Sequence, residues 1–319
     1  MTDKKLFRTI IHRSWNLIWK RPSMWVLAFL AAPVVGIGVI DGLIGSARLM
    51  FKALHVDQTL IFTCTEKFKI CHWLLPPYDS IMLPIFAIFA IVIAIFLFLV
   101  STVSLGALIR AATDKKEHSI ESAWNAGVKH MWELVAFVLT RHILIHALFI
   151  GTFYVGQWLF TFSTSPLAML GLVVLALAFM LLVLIINFLT LYAMTAAVVD
   201  RSSYGKAIKR GLYVFRHHIL LSLEMALVVL VAEIMFAFIG VLAALLIAMP
   251  VFMFYIIAGI TGYTIFLWVA ASVGLILLMI LLFIVLAWAI QFGVSSWAHL
   301  YTHTKKGNIK ARILHHFGH

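Results

Sequence analysis

Three uninterrupted apolar stretches, Ile81–Leu108, Leu167–Val199 and Ile219–Met249, dominate the chain. Each exceeds the roughly 20 residues that a helix needs to cross about 30 Å of hydrocarbon. Lipid offers no hydrogen bonds to the main chain, so segments of this kind are helical. Composition agrees. The 319 residues are 64% hydrophobic and 11% charged, where a soluble domain averages about 45–50% and about 25%. The chain is expected to be an all-α polytopic membrane protein. Its apolar runs fall in pairs and give about six transmembrane helices, near Met24–Ala47, Ile81–Arg110, Trp132–Phe160, Leu167–Val198, Ile219–Met249 and Thr264–Ala298. Met24–Ala47 reads as a retained span rather than a cleaved leader, because its lead-in is long and amphipathic. Met249–Phe266 is compatible with an outer turn, a re-entrant piece or a kinked join.

The formal charge of +12 raises the question of nucleic acid, which the placement of the charge answers. Lys and Arg cluster at Lys4–Arg21, Arg110–Lys129, Arg201–Arg216 and Lys305–Arg312, each beside the end of an apolar run. No basic domain stands apart from the spans, so a nucleic-acid partner is not expected. The pattern is that of cytoplasmic flanks facing anionic lipid headgroups. It places both termini in the cytoplasm and leaves Arg48, Lys52, Lys67 and Lys69 on the outside, in a loop at 48–80.

"SIESAWNAG" (Ser119–Gly127) and "SYGKAIKRG" (Ser203–Gly211) share the pattern S-x-x-x-A-x-x-x-G, and each precedes an apolar run. On a helix, Ile120, Ala123, Trp124, Gly127, Val128 and Met131 form one face, with Glu121, Asn125 and Lys129 opposite. Tyr204, Ala207, Ile208, Gly211, Leu212 and Phe215 repeat it, with Lys206, Lys209 and Arg210 opposite. Phe7, Ile10, Ile11, Ser14, Trp15 and Ile18 form a third such face, opposite Lys5, Arg8, His12, Asn16 and Lys20. Each segment is too short and too charged to span. Each is expected to lie in the cytoplasmic interface, with Arg8, Lys20, Lys129, Lys206, Lys209 and Arg210 toward headgroups and with Ile208, Leu212 and Phe215 toward acyl chains. Gly127 and Gly211 are suited to a close helix approach. The chain then reads as a single membrane domain, 1–319, of three pseudo-repeats near 1–114, 115–200 and 201–304, each an interfacial helix followed by two spans, with a basic tail at 305–319.

The passage "AMTAAVVDRSSYGKAIKRGLYVFRHHILLSL", Ala193–Leu223, resembles the signature region of a group of bacterial membrane proteins. The group includes the YciC-like family and the membrane domain attached to some glycerophosphoryl diester phosphodiesterases. Its small acidic turn, amphipathic helix and basic corner correspond here to Asp200, to Ala207 and Gly211, and to Arg216, His217 and His218. The resemblance implies a six-span fold in a bacterial inner membrane. It does not imply phosphodiesterase activity, because the soluble catalytic barrel has no counterpart in these residues.

Cys64 and Cys71, in the outer loop, are the two cysteines of the chain. Their C-x6-C spacing fits a small disulfide-closed loop or reduced structural thiols, and is neither a redox nor a zinc pair. Within spans, Asp41, Glu133, Arg141, His142, His146, Glu224 and Glu233 are ionisable, and such residues face a partner or a cavity. Aligning the two Ser-led motifs sets Arg141 level with Met225, next to Glu224, so an ion pair between Arg141 and Glu224 across spans three and five is compatible with the spacing. Glu233 lies deeper and is the better functional carboxylate. His142 and His146 share a helix face but lack a third ligand, and no metal site or cofactor is expected. Tryptophans near the span ends, among them Trp15, Trp124, Trp132 and Trp297, read as interface anchors. There is no P-loop, zinc-protease or nucleophile-elbow motif. The expectation is a non-enzymatic protein of membrane or envelope organisation, lipid homeostasis or scaffolding. The alternative is a permease or channel for a small or lipid-like solute, using Arg141, Glu224 and Glu233. No protein partner is legible.

Overall fold

The computed structural model describes residues 3–35, 82–114, 119–162 and 166–305. Among them are nine helices and no strand. They are α1 (Asp3–Lys20), α2 (Met24–Val35), α3 (Met82–Thr113), α4 (Ile120–Lys129), α5 (Met131–Phe162), α6 (Pro166–Asp200), α7 (Tyr204–His217), α8 (Ile219–Thr261) and α9 (Thr264–Thr304). α3, α5, α6, α8 and α9 are long and apolar enough to cross a membrane, so the protein is an all-α, multi-pass membrane protein. α2 covers the start of the first expected span; residues 36–47, the loop at 48–80 with Cys64 and Cys71, and the tail beyond residue 305 lie outside the described residues.

The long helices exceed a bilayer. α8 has 43 residues, about 64 Å of helix against about 30 Å of hydrocarbon. The fifth span was expected to stop near Met249; instead α8 continues through Pro250 to Thr261. Gly262 then takes a left-handed C-cap with φ 73°, which costs glycine nothing. The turn is only Gly262 and Tyr263 before α9 begins, so Met249–Phe266 is a helix join.

α3, α6 and α9 pack on one another, and α5–α6 and α8–α9 form antiparallel hairpins. Burial is concentrated at one end, where the basic residues lie. Ala107, Ala111 and Ala112 of α3, Ala193, Ala196 and Ala197 of α6, and Ala287, Ala298 and Leu300 of α9 are all buried in one core. Toward the far ends the hairpins keep internal contacts, and Phe283 of α9 also packs on Phe29 of α2 at 4.8 Å. Gly240 lies against Val285 and Gly274 against Val251 in α8–α9, while Phe149 meets Phe179 in α5–α6.

The short helices are seated on the basic ends. Ser119 caps α4 by accepting from the Ser122 amide. Ser203 holds the N-cap position of α7 with nearly the same main-chain angles but without a side-chain cap bond. A Cβ on Gly127 would meet Val103 O at 2.3 Å and Ala107 N at 3.0 Å. One on Gly211 would meet Ala193 N at 2.9 Å and Leu189 O at 3.3 Å. In both cases the glycine lies on main chain one helical turn apart, on the span that precedes it. Phe215, expected toward acyl chains, is instead buried against Phe188. Ile208 and Leu212 are exposed.

Candidate functional site

The most polar point of the basic end is built around Asp200, the last residue of α6. Its side chain is 4% exposed. Oδ2 accepts from Arg210 Nη1 at 2.9 Å and from Tyr301 OH at 2.7 Å, and Oδ1 accepts from Lys305 Nζ. Arg210 Nη1 also donates to Ser202 Oγ at 2.8 Å. One carboxylate thus joins the end of α6, the polar face of α7 and the end of α9. Arg201, next in the chain, takes a left-handed φ of 49°, which turns the main chain out of α6 and into α7. Arg210 had been expected to face headgroups; its guanidinium is committed to Asp200 and Ser202. Arg8, Lys20, Lys129, Lys206 and Lys209 are exposed. Asp114, in the matching acidic turn after α3, pairs with Arg110 at 3.1 Å.

Beside this hub runs a buried aromatic and hydroxyl cluster. Tyr192 OH and Ser222 Oγ are 2.7 Å apart, and Ser222 Oγ donates to His218 O. Trp297 packs on Phe188 and on Tyr192, so it is a core residue and not an interface anchor. On α5, Thr140 shares a hydrogen bond of 2.7 Å with Tyr204 OH, which ties α5 to the start of α7. His130 links α4 to α5. Burial holds its imidazole below its ordinary value; Glu133 opposes this, and Lys129, Arg201 and Arg110 add to it.

The ionisable residues expected within spans lie, where described, on α5 and α8. Arg141 is 4% exposed, and its Nη2 donates to Val34 O of α2. Ion pairs among the described residues include Arg110–Asp114, Arg210–Asp200 and Lys305–Asp200. Glu224 is half-buried on α8. Glu233 lies farther along α8, over Gly293 of α9, where an added Cβ would be 3.6 Å from Oε1. Its side chain is exposed at the helix surface. His142 and His146 each donate from Nδ1 to a main-chain oxygen of their own helix, at 2.8 Å. Among the described residues, no group of three or more His, Cys, Asp and Glu side chains could hold a metal ion.

Sequence reasoning flagged Asp200 as an acidic turn but missed Tyr301 and Lys305. No local signal reveals those partners, because they lie about a hundred residues away. No family model matches the chain, and neither a curated protein nor a solved structure matches it. The resemblance of Ala193–Leu223 to the YciC-like group therefore stands on those residues alone.

Proposed function

We propose that this is a non-enzymatic protein of a bacterial inner membrane that organises lipid or scaffolds the envelope. Both termini are cytoplasmic in this reading, and α1, α4 and α7 form a collar at the inner leaflet of a threefold internal repeat. One observation carries it. The far ends of α3, α5–α6 and α8–α9 expose Ile88, Phe96, Leu177, Leu246 and Leu275 among many other large apolar side chains. Surfaces of that composition are solvated by acyl chains. On α7, the exposed Ile208 and Leu212 lie beside Lys206 and Lys209, the arrangement that suits a helix at the boundary of anionic headgroups.

Glu233 favours a second reading, a permease or channel for a small or lipid-like solute. It is a carboxylate on an otherwise apolar surface, and such residues mark pathways when they reach water. Reconstitution into vesicles containing phosphatidylglycerol separates the two. The scaffold reading expects a change in acyl-chain order on insertion, and no proton or solute flux above protein-free vesicles. A flux abolished by Glu233→Gln, with acyl order unchanged, would replace it by the permease reading. Reporter fusions after Lys129, Lys209 and Gly307 check the topology; all three should report the cytoplasm.

A further inference from the structure

α1 and α2 run along α9 in the opposite direction. Ser14 meets Ser296, Leu17 O accepts from Gln291 Nε2, Trp19 packs on Trp288, and Phe29 packs on Phe283. Trp25 also meets Trp288, at 5.7 Å, so several indoles gather at one level of the molecule. Phe236 of α8 joins them. It stacks on Trp15 at 5.9 Å with the planes 7° apart, and lies 6.3 Å from Trp288. Trp15 and Trp19 are 6.1 Å apart and remain 41% and 50% exposed.

One carboxylate borders this aromatic patch. Glu233 stands three residues before Phe236, so the two are neighbours on one side of α8. Its Oε1 lies over Gly293 of α9, and Phe292, next to that glycine, packs on Phe236 at 6.0 Å. A glycine opposite leaves the carboxylate room, and the side chain of Glu233 is exposed. Glu233 also marks a boundary, because Ile234–Ala298 contains no Asp, Glu, Lys or Arg. Ile234–Thr261 of α8 is 28 residues long. That is about 42 Å of helix, which matches the roughly 40–45 Å of a bilayer with its headgroup layers. With the Gly262 turn at the outer surface, Glu233 and the indoles fall in the inner headgroup layer, where tryptophan concentrates.

A carboxylate beside open indole faces recognises an ammonium group, drawn by the negative charge and by the electron-rich faces of the rings. Elsewhere the basic end exposes Lys129, Lys206 and Lys209, which favour anionic headgroups. We infer that Glu233, Phe236, Trp15 and Trp19 form a binding site for the ammonium of a zwitterionic phospholipid headgroup such as phosphoethanolamine, a site that rests on the lipid-organising role proposed for the chain. Lys20, which follows Trp19 and is exposed, takes the phosphate of the same headgroup. The acyl chains lie along Ile234, Phe238 and Val241, all exposed on α8. That apolar surface continues directly from the carboxylate, so the amine it suits is one carried by a lipid.

The test reconstitutes the full chain into vesicles of phosphatidylethanolamine, phosphatidylglycerol and phosphatidic acid in equal amounts and with matched acyl chains. Native mass spectrometry then counts the lipids that stay bound. Phosphatidylethanolamine should be retained over each of the others by about threefold or more, as an ammonium on exposed rings beside a carboxylate allows. Glu233→Gln should abolish that preference, and Glu121→Gln, at an exposed carboxylate of α4, should leave it intact. Should Glu233→Gln fail to accumulate, Trp15→Leu with Trp19→Leu decides in its place: a lost preference supports the site, and an unchanged one overturns it. Equal retention of the three lipids by the wild type, or a preference that survives Glu233→Gln, sinks the site. So does retention of added soluble phosphoethanolamine without preference among the lipids, which would give the carboxylate to an aqueous solute. Unchanged acyl-chain order on insertion would remove the lipid-organising role on which the site rests, and is read independently of the retention ratio.

Discussion

The two halves of α6 and of α9 are packed differently. α6 shows this within one element. Toward its far end Leu170, Val174, Leu177 and Leu181 are exposed, while toward Asp200 Phe188, Tyr192, Ala196 and Ala197 are buried. α9 repeats the contrast, with Leu275, Met279 and Leu282 exposed and Gln291, Ser295, Ser296 and Ala298 buried. In lipid, large aliphatic side chains gain little by meeting each other, because acyl chains solvate them equally well. Small residues let main chains approach, and hydroxyls bond across helices. The packed half is therefore marked by small and hydrogen-bonding residues, which enclose rings such as Phe188 and Tyr192.

The sharpest way to break this comparison is Gly127→Ala. The new methyl would sit 2.3 Å from Val103 O and 3.0 Å from Ala107 N. Both are main-chain atoms within a helix, so neither can swing away. The expected cost is about 3 kcal/mol, the upper end for overpacking, and the variant should be nearly absent from the membrane fraction. Wild-type abundance would show that α4 does not rely on its seat. Gly211→Ala meets Ala193 N at 2.9 Å and should be somewhat less severe.

Next in size is Asp200→Ala, which takes the shared acceptor from Tyr301, Arg210 and Lys305. Arg210 and Lys305 are about half exposed, at 50% and 52%, so water replaces much of what they lose. Tyr301 is buried and carries most of the penalty. A loss of about 1–2 kcal/mol follows, read as a lower unfolding midpoint in detergent. An unchanged midpoint would mean that the seams alone hold the basic end.

These two positions also mark what was legible. The spans could be read because length and composition alone decide whether a segment can cross lipid. Gly127 and Gly211 could be read because a small residue recurs at one point of an amphipathic face. Their seats could not. Val103, Ala107, Leu189 and Ala193 lie in runs that are apolar all round and have no periodicity to reveal a face. α8 was expected to end near Met249 because proline removes a main-chain donor and crowds the preceding turn. In an apolar helix paired with α9 the chain runs on regardless. Glu233 stood out by its charge, yet its place over Gly293 depends on a hairpin contact across 60 residues.

The far half supplies the two smallest effects. A methyl on Gly274 would meet Val251 Cγ2 at 2.8 Å, the tip of a side chain that can turn. Replacing a helical glycine also gains about 0.5–1 kcal/mol through chain entropy. Gly274→Ala should therefore change stability by less than about 1 kcal/mol. Its unfolding midpoint should stay near wild type, where that of Gly211→Ala falls.

The smallest expected change is also the most discriminating. Leu246 of α8 is 69% exposed in the isolated chain. If acyl chains cover it, Leu246→Ala exchanges one lipid contact for another and leaves no cavity. Stability in vesicles should then move by less than about 0.5 kcal/mol. If another protein covered it, the truncation would open a hole in a packed interface and cost about 2–5 kcal/mol. Unfolding of the variant in lipid vesicles and in native membranes separates these cases. A loss seen only in native membranes would place a protein against the far half, and the contrast between the two ends would then belong to the isolated chain and not to the assembly.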